Sequence, residues 1–312
     1  MDEINLSINP STLCNFRCDF CYLSPAELAR RDRLDPERLL ERLLEISRYR
    51  RIAHVDLYGG EVGLLEPAYW DELWRVLRVF YRERVNVVTN LSVAHPYFER
   101  EDVDLSVSWD YVARPRFEAT LANLRALKRG VHVLVLASRR LLDLDAAELE
   151  RFMRILDETP QVESVEIKPY SLNPHHPQPV RYRETETWIR RWIERAPGFR
   201  FELVNADLVA RSLRREKRSW SDDHLYIDPS GALAVLDFDD EGRERFSRLA
   251  SFDAYVDWTE REKRLIREHP TCSRCPHLGH CLSEHLQPVH ADPGDSCNGL
   301  RGLLDDPPEL CR

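Results

Sequence analysis

The sequence predicts an α/β fold, in which a partial (β/α)6 TIM-like barrel is followed by a small cysteine-rich C-terminal domain. Segments with strand and helix periodicity alternate about six times before residue 200, which is typical of a parallel sheet with right-handed crossovers. A closed eight-stranded barrel normally needs about 250 residues, so an open barrel fits better. Three of the eight cysteines precede residue 22 and five follow residue 271. We therefore predict domains at 1–200 and 201–312.

The elements of the barrel follow from apolar periodicity. Leu39, Leu43 and Ile46 recur at helical spacing in the predicted helix 36–48. Segment 131–137 is nearly all apolar, as expected for a parallel strand that is covered on both faces. The predicted strands are 4–9, 52–58, 85–89, 103–109, 131–137 and 162–168. The predicted helices are 36–48, 67–81, 116–129, 145–158 and 185–194.

The second domain is marked by a predicted turn and by a C-terminal region whose composition is typical of a metal site. Asp228-Pro229-Ser230-Gly231 is a strong turn signal, so segments 224–228 and 232–238 are predicted to form a hairpin. We also predict a strand at 201–204 and a charged helix at 252–269. The remainder should form loops around a metal, because it is rich in cysteine, histidine, glycine and proline.

Composition excludes some classes of protein. The formal net charge is −9 with both signs interspersed, which is unlike a nucleic-acid binder. The basic stretch 211–218 is either a solvated helix end or a dock for an acidic peptide or a phosphate. The sequence has neither a secretory signal nor an apolar run of about 18 residues, so we expect a cytoplasmic protein without membrane contact.

The first cysteine group is Cys14, Cys18 and Cys21. Three thiolates cannot fill the four tetrahedral positions around one metal, but they can hold a [4Fe–4S] cluster and leave one iron open. A partial zinc knuckle or unrelated buried cysteines are the alternatives. The C-x-x-x-C-x-x-C spacing, with Phe20 before the last cysteine, resembles the radical S-adenosylmethionine (radical SAM) enzymes.

Three further segments support this resemblance. Gly59, Gly60 and Glu61 follow the second predicted strand; alone they could form an ordinary turn, but they match the family motif that meets the methionine amino group of SAM. Ser108 and Asp110 match the family's Ser-x-Asp segment, although Tyr111 replaces the usual glycine. The resemblance also places a carboxylate-binding arginine at Arg139, with Arg140 as an alternative. The other predicted cofactor-binding residues are Phe20, Asn90 and Tyr170, each of which could instead cap a loop or fill a packing position.

The second cysteine group is Cys272, Cys275, Cys281 and Cys297. Four thiolates can fully ligate one zinc ion or one [4Fe–4S] cluster, and the spacing alone allows either. The pattern resembles a reduced SPASM/twitch-like extension. The full SPASM form has a further cysteine where this chain has His285, and cysteines around a hairpin glycine where this chain has none beside Gly231 and has Leu236. We therefore expect one auxiliary cluster.

Cys311 belongs to neither group. It is either a free thiol near the end of the chain or a hydrogen-atom donor, which an epimerase would need.

The resemblance implies reductive cleavage of SAM and abstraction of hydrogen from a substrate carbon by a 5′-deoxyadenosyl radical. Such an oxidoreductase or epimerase would use SAM, two [4Fe–4S] clusters and an electron donor such as flavodoxin or ferredoxin. Our first hypothesis is maturation of a ribosomal peptide, although the sequence shows no leader-binding domain before its first strand. The alternatives are oxidation or epimerisation of an aminoglycoside or oligosaccharide, and a non-enzymatic zinc-binding module.

Overall fold

The computed structural model describes residues 2–238, 244–283 and 297–312. The strands of this part of the chain are β1 Glu3–Ile8, β2 Arg51–Leu57, β3 Val85–Thr89, β4 Val103–Ser108, β5 Val131–Ala137, β6 Val162–Pro169, β7 Glu202–Leu203, β8 His224–Ile227, β9 Leu233–Phe238 and β10 Glu244–Leu249. They form one ten-stranded sheet in the order β10-β9-β8-β1-β2-β3-β4-β5-β6-β7. Neighbouring strands from β1 to β7 are parallel, which confirms the α/β partial barrel.

The C-terminal strands extend the same sheet. β8 pairs in parallel with β1, and β9 and β10 continue from β8 as antiparallel strands. The predicted hairpin is therefore present, but its first strand is also bonded to the barrel. β7 lies at the opposite edge, beside β6, so residues after 200 contribute to both edges of the sheet. The domain boundary at 200 stays a prediction.

The helices lie close to their predicted positions, with three additions. The described helices are α1 Pro36–Ser47, α2 Pro67–Phe80, α3 Phe117–Ala126, α4 Arg139–Leu142, α5 Ala146–Asp157, α6 Tyr182–Arg195, α7 Val204–Leu213, α8 Phe252–Glu268 and α9 Arg301–Asp305. The additions are α4, α7 and α9. The Asp35 side chain caps α1, and a capping box of Asp145 and Glu148 begins α5. The predicted strand at 201–204 was too long, because α7 begins at Val204. In the described ranges, no helix is long and apolar enough to cross a membrane.

The two faces of the parallel sheet differ in chemistry because successive strand residues point to opposite sides. One face is apolar and belongs to the same buried core as the helices, with Leu6, Leu57, Val87, Val107 and Val133 at 0% exposure. Many of the alternate residues are polar. They include Ser7, His54, Asp56, Asn86, Ser106, His132, Ser164 and His224.

These polar side chains are hydrogen-bonded from strand to strand. Asn86 Nδ2 donates to Asp56 Oδ1 over 2.6 Å, and Ser106 Oγ donates to Asn86 Oδ1 over 2.8 Å. On the other side of Asp56, its carboxylate accepts from Ser7 Oγ at 3.4 Å. His54 Nε2 lies 2.9 Å from Asp56 Oδ1. A shift of one residue in any strand would break these bonds, so they help to fix the register of the sheet.

The His54–Asp56 pair should make stability depend on pH. The hydrogen bond to Asp56 raises the pKa of His54. A raised histidine pKa stabilises the fold fully below the unfolded pKa, and this contribution disappears as pH rises through the folded pKa. The His54 side chain is 46% exposed, so we expect His54→Gln to cost about 0.5–1 kcal/mol at pH 5.5 and close to nothing at pH 8.5. Urea unfolding at both pH values measures this difference.

Asp56→Asn supplies the control for that experiment. In an Asp56→Asn background the His54→Gln change should cost the same at both pH values, because the carboxylate partner is gone. A pH-dependent cost that persists in this background would contradict the assignment to the pair.

Candidate functional site

The loop that carries the first cysteines is bonded along its backbone to the segment after β2. Gly60 N donates to Ser11 O over 2.9 Å, and Glu61 N donates to Leu13 O over 2.7 Å. Asn9 Oδ1 also accepts from Ser11 N at 3.1 Å, which fixes the start of the loop. The Gly59–Glu61 segment and the cysteine loop are therefore one structural unit at the carboxyl ends of β1 and β2.

Gly59 and Gly60 are required by this close approach. A Cβ atom on Gly60 would lie 2.2 Å from Leu13 O, and one on Gly59 would lie 2.2 Å from Asn9 Oδ1. Gly59 also has a φ of +145°, which side chains rarely allow. The sequence suggested that the glycines let backbone approach a ligand. In the structure they let it approach the cysteine loop, and their contact with SAM stays a prediction.

Glu61 is a buried carboxylate that connects β2 to the end of β3. Its side chain accepts hydrogen bonds from Gly63 N at 2.8 Å, Thr89 Oγ1 at 2.5 Å and Asn90 N at 2.6 Å, and it is 2% exposed. Burial raises the pKa of Glu61, although the three hydrogen bonds oppose this effect. A carboxylate has about four acceptor positions, so about one remains for an ammonium group.

Asn90 lies against the first cysteine. Its Nδ2 atom is 3.7 Å from Cys14 Sγ and 3.2 Å from Asn15 Oδ1. Since its backbone N–H is held by Glu61, the hydrogen bonds run from β2 through β3 to the cysteine loop. Asn90 was predicted to bind the cofactor, and its position next to Cys14 is compatible with that role.

The three thiols present a donor set that fits a cluster. Cys18 is buried, while Cys14 and Cys21 are partly buried. Burial raises the pKa of all three thiols, that of Cys18 to about 12. Phe16 N also donates to Cys14 Sγ at 3.4 Å, and N–H donors at sulfur are a feature of protein-bound iron–sulfur clusters. The fit lies in the chemistry of the donors, because in the described ranges no three His, Cys, Asp or Glu side chains are already grouped to hold a metal ion.

Asp110 and Tyr111 follow β4. Asp110 is fully buried, and its carboxylate accepts from the backbone N–H of Leu136 in β5. Tyr111 has a φ of +49°, the left-handed conformation that a glycine would adopt easily. Its ring stacks on Phe152 with centroids 5.1 Å apart. Aromatic packing therefore supports a left-handed backbone conformation at this tyrosine.

Arg114 is a residue that sequence reasoning missed. Its Nε atom donates to Asp110 Oδ2 over 2.6 Å, and its Nη1 atom lies 3.8 Å from Cys18 Sγ. The guanidinium carbon lies 5.2 Å from the ring centroid of Phe20. The spacing of four residues from Asp110 was the available signal, but it does not reveal the contact with Cys18.

The remaining predicted cofactor residues lie around the same loop or beside it. Ser108 is the last residue of β4 and is partly buried. Arg139 donates to Glu184 Oε1 over 2.9 Å and lies 2.8 Å from Asp143 Oδ1, so both ion-pair partners are acidic side chains of this chain. Arg140, the alternative, lies 3.8 Å from Asp19 Oδ2 on the cysteine loop.

Tyr170 organises the loop after β6. Its hydroxyl accepts from Asn173 Nδ2 at 3.3 Å and from Gln178 N at 3.2 Å, and the ring is buried. Asn173 Nδ2 in turn donates to Phe20 O over 3.3 Å, and Gln178 Nε2 to Asp19 O over 2.8 Å. The loop after β6 therefore closes on the cysteine loop.

A family comparison agrees with this arrangement. The model of the radical SAM superfamily matches residues 8–208, more than half of the chain. The chain belongs to the radical SAM superfamily. Membership implies SAM and one [4Fe–4S] cluster as cofactors, and it confirms the class of enzyme predicted from Cys14, Cys18 and Cys21.

Solved structures show the same fold over nearly the whole radical SAM chain. Polyhistidine-tagged anSMEcpe with bound AdoMet aligns with a TM-score of 0.68 at 12% identity and covers 96% of this chain and 94% of its own. Native anSMEcpe with bound AdoMet and Cp18Cys peptide gives the same values. Streptococcus suis SuiB bound to precursor peptide SuiA aligns with a TM-score of 0.61 at 12% identity, over 90% of this chain and 71% of SuiB. No curated protein matches the sequence significantly.

The four cysteines of the second group line one small cavity of this radical SAM enzyme. Leu282 N donates to Gly299 O over 3.1 Å, which brings the segments of Cys281 and Cys297 together. A Cβ on Gly299 would lie 3.0 Å from Cys281 Sγ, so glycine leaves room at this sulfur. Four thiols are enough donors for a fully ligated centre, and the region is consistent with the reduced SPASM/twitch-like extension. The auxiliary cluster itself stays a prediction. His285 lies outside the described residues.

Cys311 is apart from both groups. It is 5% exposed, and its thiol donates to Ala206 O in α7 over 3.5 Å. Its contacts are with this helix rather than with either cysteine loop. Its role as a hydrogen-atom donor stays a prediction.

A cavity of about 540 Å³ lies beside the cysteine loop. Tyr22, which follows Cys21, and Tyr58, which precedes Gly59, line it together with Tyr226 and Phe246. Tyr226 packs against Tyr58 and Phe246 with ring centroids 6.0 Å and 5.0 Å apart. The site therefore has an aromatic wall next to the residues that are predicted to hold the cofactors.

Replacing Gly60 should push the Gly59–Glu61 segment away from the cysteine loop. The Gly60→Ala methyl would meet two backbone carbonyls at 2.2 and 2.4 Å, and overpacking of this kind costs about 1–3 kcal/mol. We expect a corresponding loss in the free energy of unfolding and less iron bound after anaerobic reconstitution. Gly198→Ala is the matched control, because a Cβ there meets nothing within 4 Å. Equal behaviour of the two variants would contradict the assigned contact.

Proposed function

We propose that this radical SAM enzyme holds its catalytic cluster with Cys14, Cys18 and Cys21 and modifies a carbon atom of a peptide. The observation that carries the proposal is the convergence on one cysteine loop of the segments that follow β2, β3, β4 and β6. When bound, the cluster and SAM supply the electron and the 5′-deoxyadenosyl radical that removes a hydrogen atom from the substrate.

In this proposal the chain's own residues divide into two roles. Glu61, Asp110 and Tyr170 shape the loops around the cofactor, because most of the hydrogen bonds that their side chains can form are made within the protein. The segment of Gly59 and Gly60, the end of β4 at Ser108 and the ring of Phe20 are the surfaces offered to SAM. Asn90 and Arg139 complete the predicted set, Asn90 beside Cys14 and Arg139 at the start of α4.

A peptide is our preferred substrate. anSMEcpe and SuiB, whose folds match most of this chain, have been crystallised with Cp18Cys peptide and with precursor peptide SuiA. The aromatic wall of the 540 Å³ cavity offers large faces against which a peptide side chain can pack. This cavity adjoins the cysteine loop through Tyr22 and the glycine segment through Tyr58.

A polyhydroxylated or aminated sugar is the second candidate. The lining of the 540 Å³ cavity favours it, because Asp32 and Asp228 place acidic hydrogen-bonding groups there. The formal net charge of −9 would also suit a cationic substrate. Oxidation and epimerisation are the reactions that we associate with this substrate class.

We further propose that Cys272, Cys275, Cys281 and Cys297 hold a second [4Fe–4S] cluster. Because protein thiolates would occupy all four irons, this cluster would relay an electron or stabilise the C-terminal region rather than bind substrate. A reduced flavodoxin or ferredoxin would serve as the electron donor, and the reaction would take place in the cytoplasm.

Iron analysis and product analysis together test the two centres. After anaerobic reconstitution we expect about eight irons per chain, and about four in the Cys14→Ala/Cys18→Ala/Cys21→Ala variant. With SAM and dithionite, the unaltered protein should form 5′-deoxyadenosine and the triple variant should not. The second cluster is absent if the unaltered protein binds only about four irons. Zinc in place of iron, with no 5′-deoxyadenosine, would overturn the radical proposal and favour a zinc-binding module.

Deuterium transfer distinguishes the substrates. A peptide deuterated at the reacting carbon should give deuterated 5′-deoxyadenosine, whereas a deuterated aminoglycoside should not, if the peptide proposal is right. Mass spectrometry of the nucleoside measures the transfer, with the triple cysteine variant as the blank. Transfer from the aminoglycoside alone would reverse the preference.

A further inference from the structure

Arg114 is held between a buried carboxylate and a cysteine of the first group. The bond to Asp110 is 2.6 Å long, the contact with Cys18 Sγ is 3.8 Å, and the Arg114 side chain is 15% exposed. Phe20, which precedes the third cysteine, covers the guanidinium at 5.2 Å. The charge therefore lies inside the site rather than at its surface.

Asp110 cannot easily move away from Arg114. Its other carboxylate oxygen accepts from the Leu136 N–H of β5, and the residue is 0% exposed. Between the pair, a short turn is closed by the bond from Ala113 N to Asp110 O at 2.9 Å. A planar guanidinium held in this way has its N–H groups in fixed positions, and one of its nitrogens lies next to the sulfur of Cys18.

A cation beside a ligating thiolate favours the more negative state of a cluster. The potential of an iron–sulfur cluster is set in part by net charge and by hydrogen bonds to its sulfurs. Asp110 offsets part of the charge of Arg114, but Arg114 stands between Asp110 and Cys18 and makes the contact with sulfur. Reduction should therefore be easier with Arg114 than without it.

We propose that Arg114 is a positioning residue that donates to the Cys18 sulfur and raises the reduction potential of the SAM-binding cluster. Asp110 would act by holding the guanidinium in place. This inference rests on the proposed function, because it requires the first cluster to be bound by Cys14, Cys18 and Cys21.

The test is a redox titration of the reconstituted full-length protein. The EPR signal that changes when SAM is added identifies the first cluster, and its reduced fraction is followed against potential. We expect Arg114→Gln to lower the reduced-to-oxidised ratio at a fixed potential about tenfold, which corresponds to about 59 mV for one electron. Arg114→Lys retains the charge but lacks the planar fork, so its shift should be smaller and in the same direction.

Arg33→Gln is the matched control. It removes the same single charge, but Arg33 pairs with Glu66 at 3.8 Å and its side chain is 51% exposed, so its charge is screened by water. We expect this variant to have the potential of the unaltered protein. An equal shift in Arg114→Gln and Arg33→Gln would assign the effect to overall charge and overturn the role of the Cys18 contact.

The outcomes separate this inference from the proposed function. Full iron loading of Arg114→Gln with an unchanged potential would overturn the inference alone. If Arg114→Gln fails to bind iron, the potential is measured in Arg114→Lys instead. An unchanged potential in Arg114→Lys would then overturn the inference. If the unaltered protein itself assembles no SAM-responsive cluster, the proposed function has failed instead.

Discussion

The site depends on two backbone hydrogen bonds, from Gly60 N to Ser11 O and from Glu61 N to Leu13 O. They join the cysteine loop to the end of β2 at a separation that leaves no room for a Cβ on Gly60. A loop with three thiols has no regular structure of its own, so its shape must come from neighbours. The two bonds contribute to that shape without using a cysteine side chain.

Glu61 extends the same constraint across the sheet. Its backbone N–H is bound to the cysteine loop, and its carboxylate is bound to the end of β3. One residue therefore fixes the distance between the loop and Asn90, which lies 3.7 Å from Cys14 Sγ. Burying a carboxylate is costly unless it is well hydrogen-bonded, and the three donors to Glu61 meet that condition. These bonds hold the backbone near the thiols rigid, as a cofactor site requires.

The sequence predicted the parts of the fold that follow from local patterns. Period-two strands and period-3.6 helices were sufficient to place β1 to β6 and most helices within a few residues. β10 was missed because its residues, Glu-Arg-Phe-Ser-Arg-Leu, carry little apolar alternation. The pairing of β8 with β1 was missed because it joins residues more than 200 positions apart, and no local pattern encodes such a contact.

The sequence likewise predicted the candidate site only as far as local motifs allow. Motif spacing indicated the cysteines and Gly59, Gly60 and Glu61, but not which groups these residues contact. The role of Arg114 could not be predicted, because it depends on a contact with Cys18, which is 96 residues away in the sequence. Tyr111 departs from the motif, and the sequence did not show that its backbone is left-handed and that its ring stacks on Phe152.

The two cysteine groups lie in different surroundings. The first lies at the carboxyl ends of the strands beside the aromatic cavity, and Arg114 reaches the sulfur of Cys18 there. The second lines a small cavity of its own, where the thiol of Cys281 donates to Ser219 Oγ over 3.5 Å and Leu282 N donates to Gly299 O. Lys217 and Arg301 also interact electrostatically with thiols of the second group, so positive charge lies near both groups. The difference that bears on the proposed chemistry is therefore access, because the first group adjoins a cavity of about 540 Å³ that can admit part of a substrate.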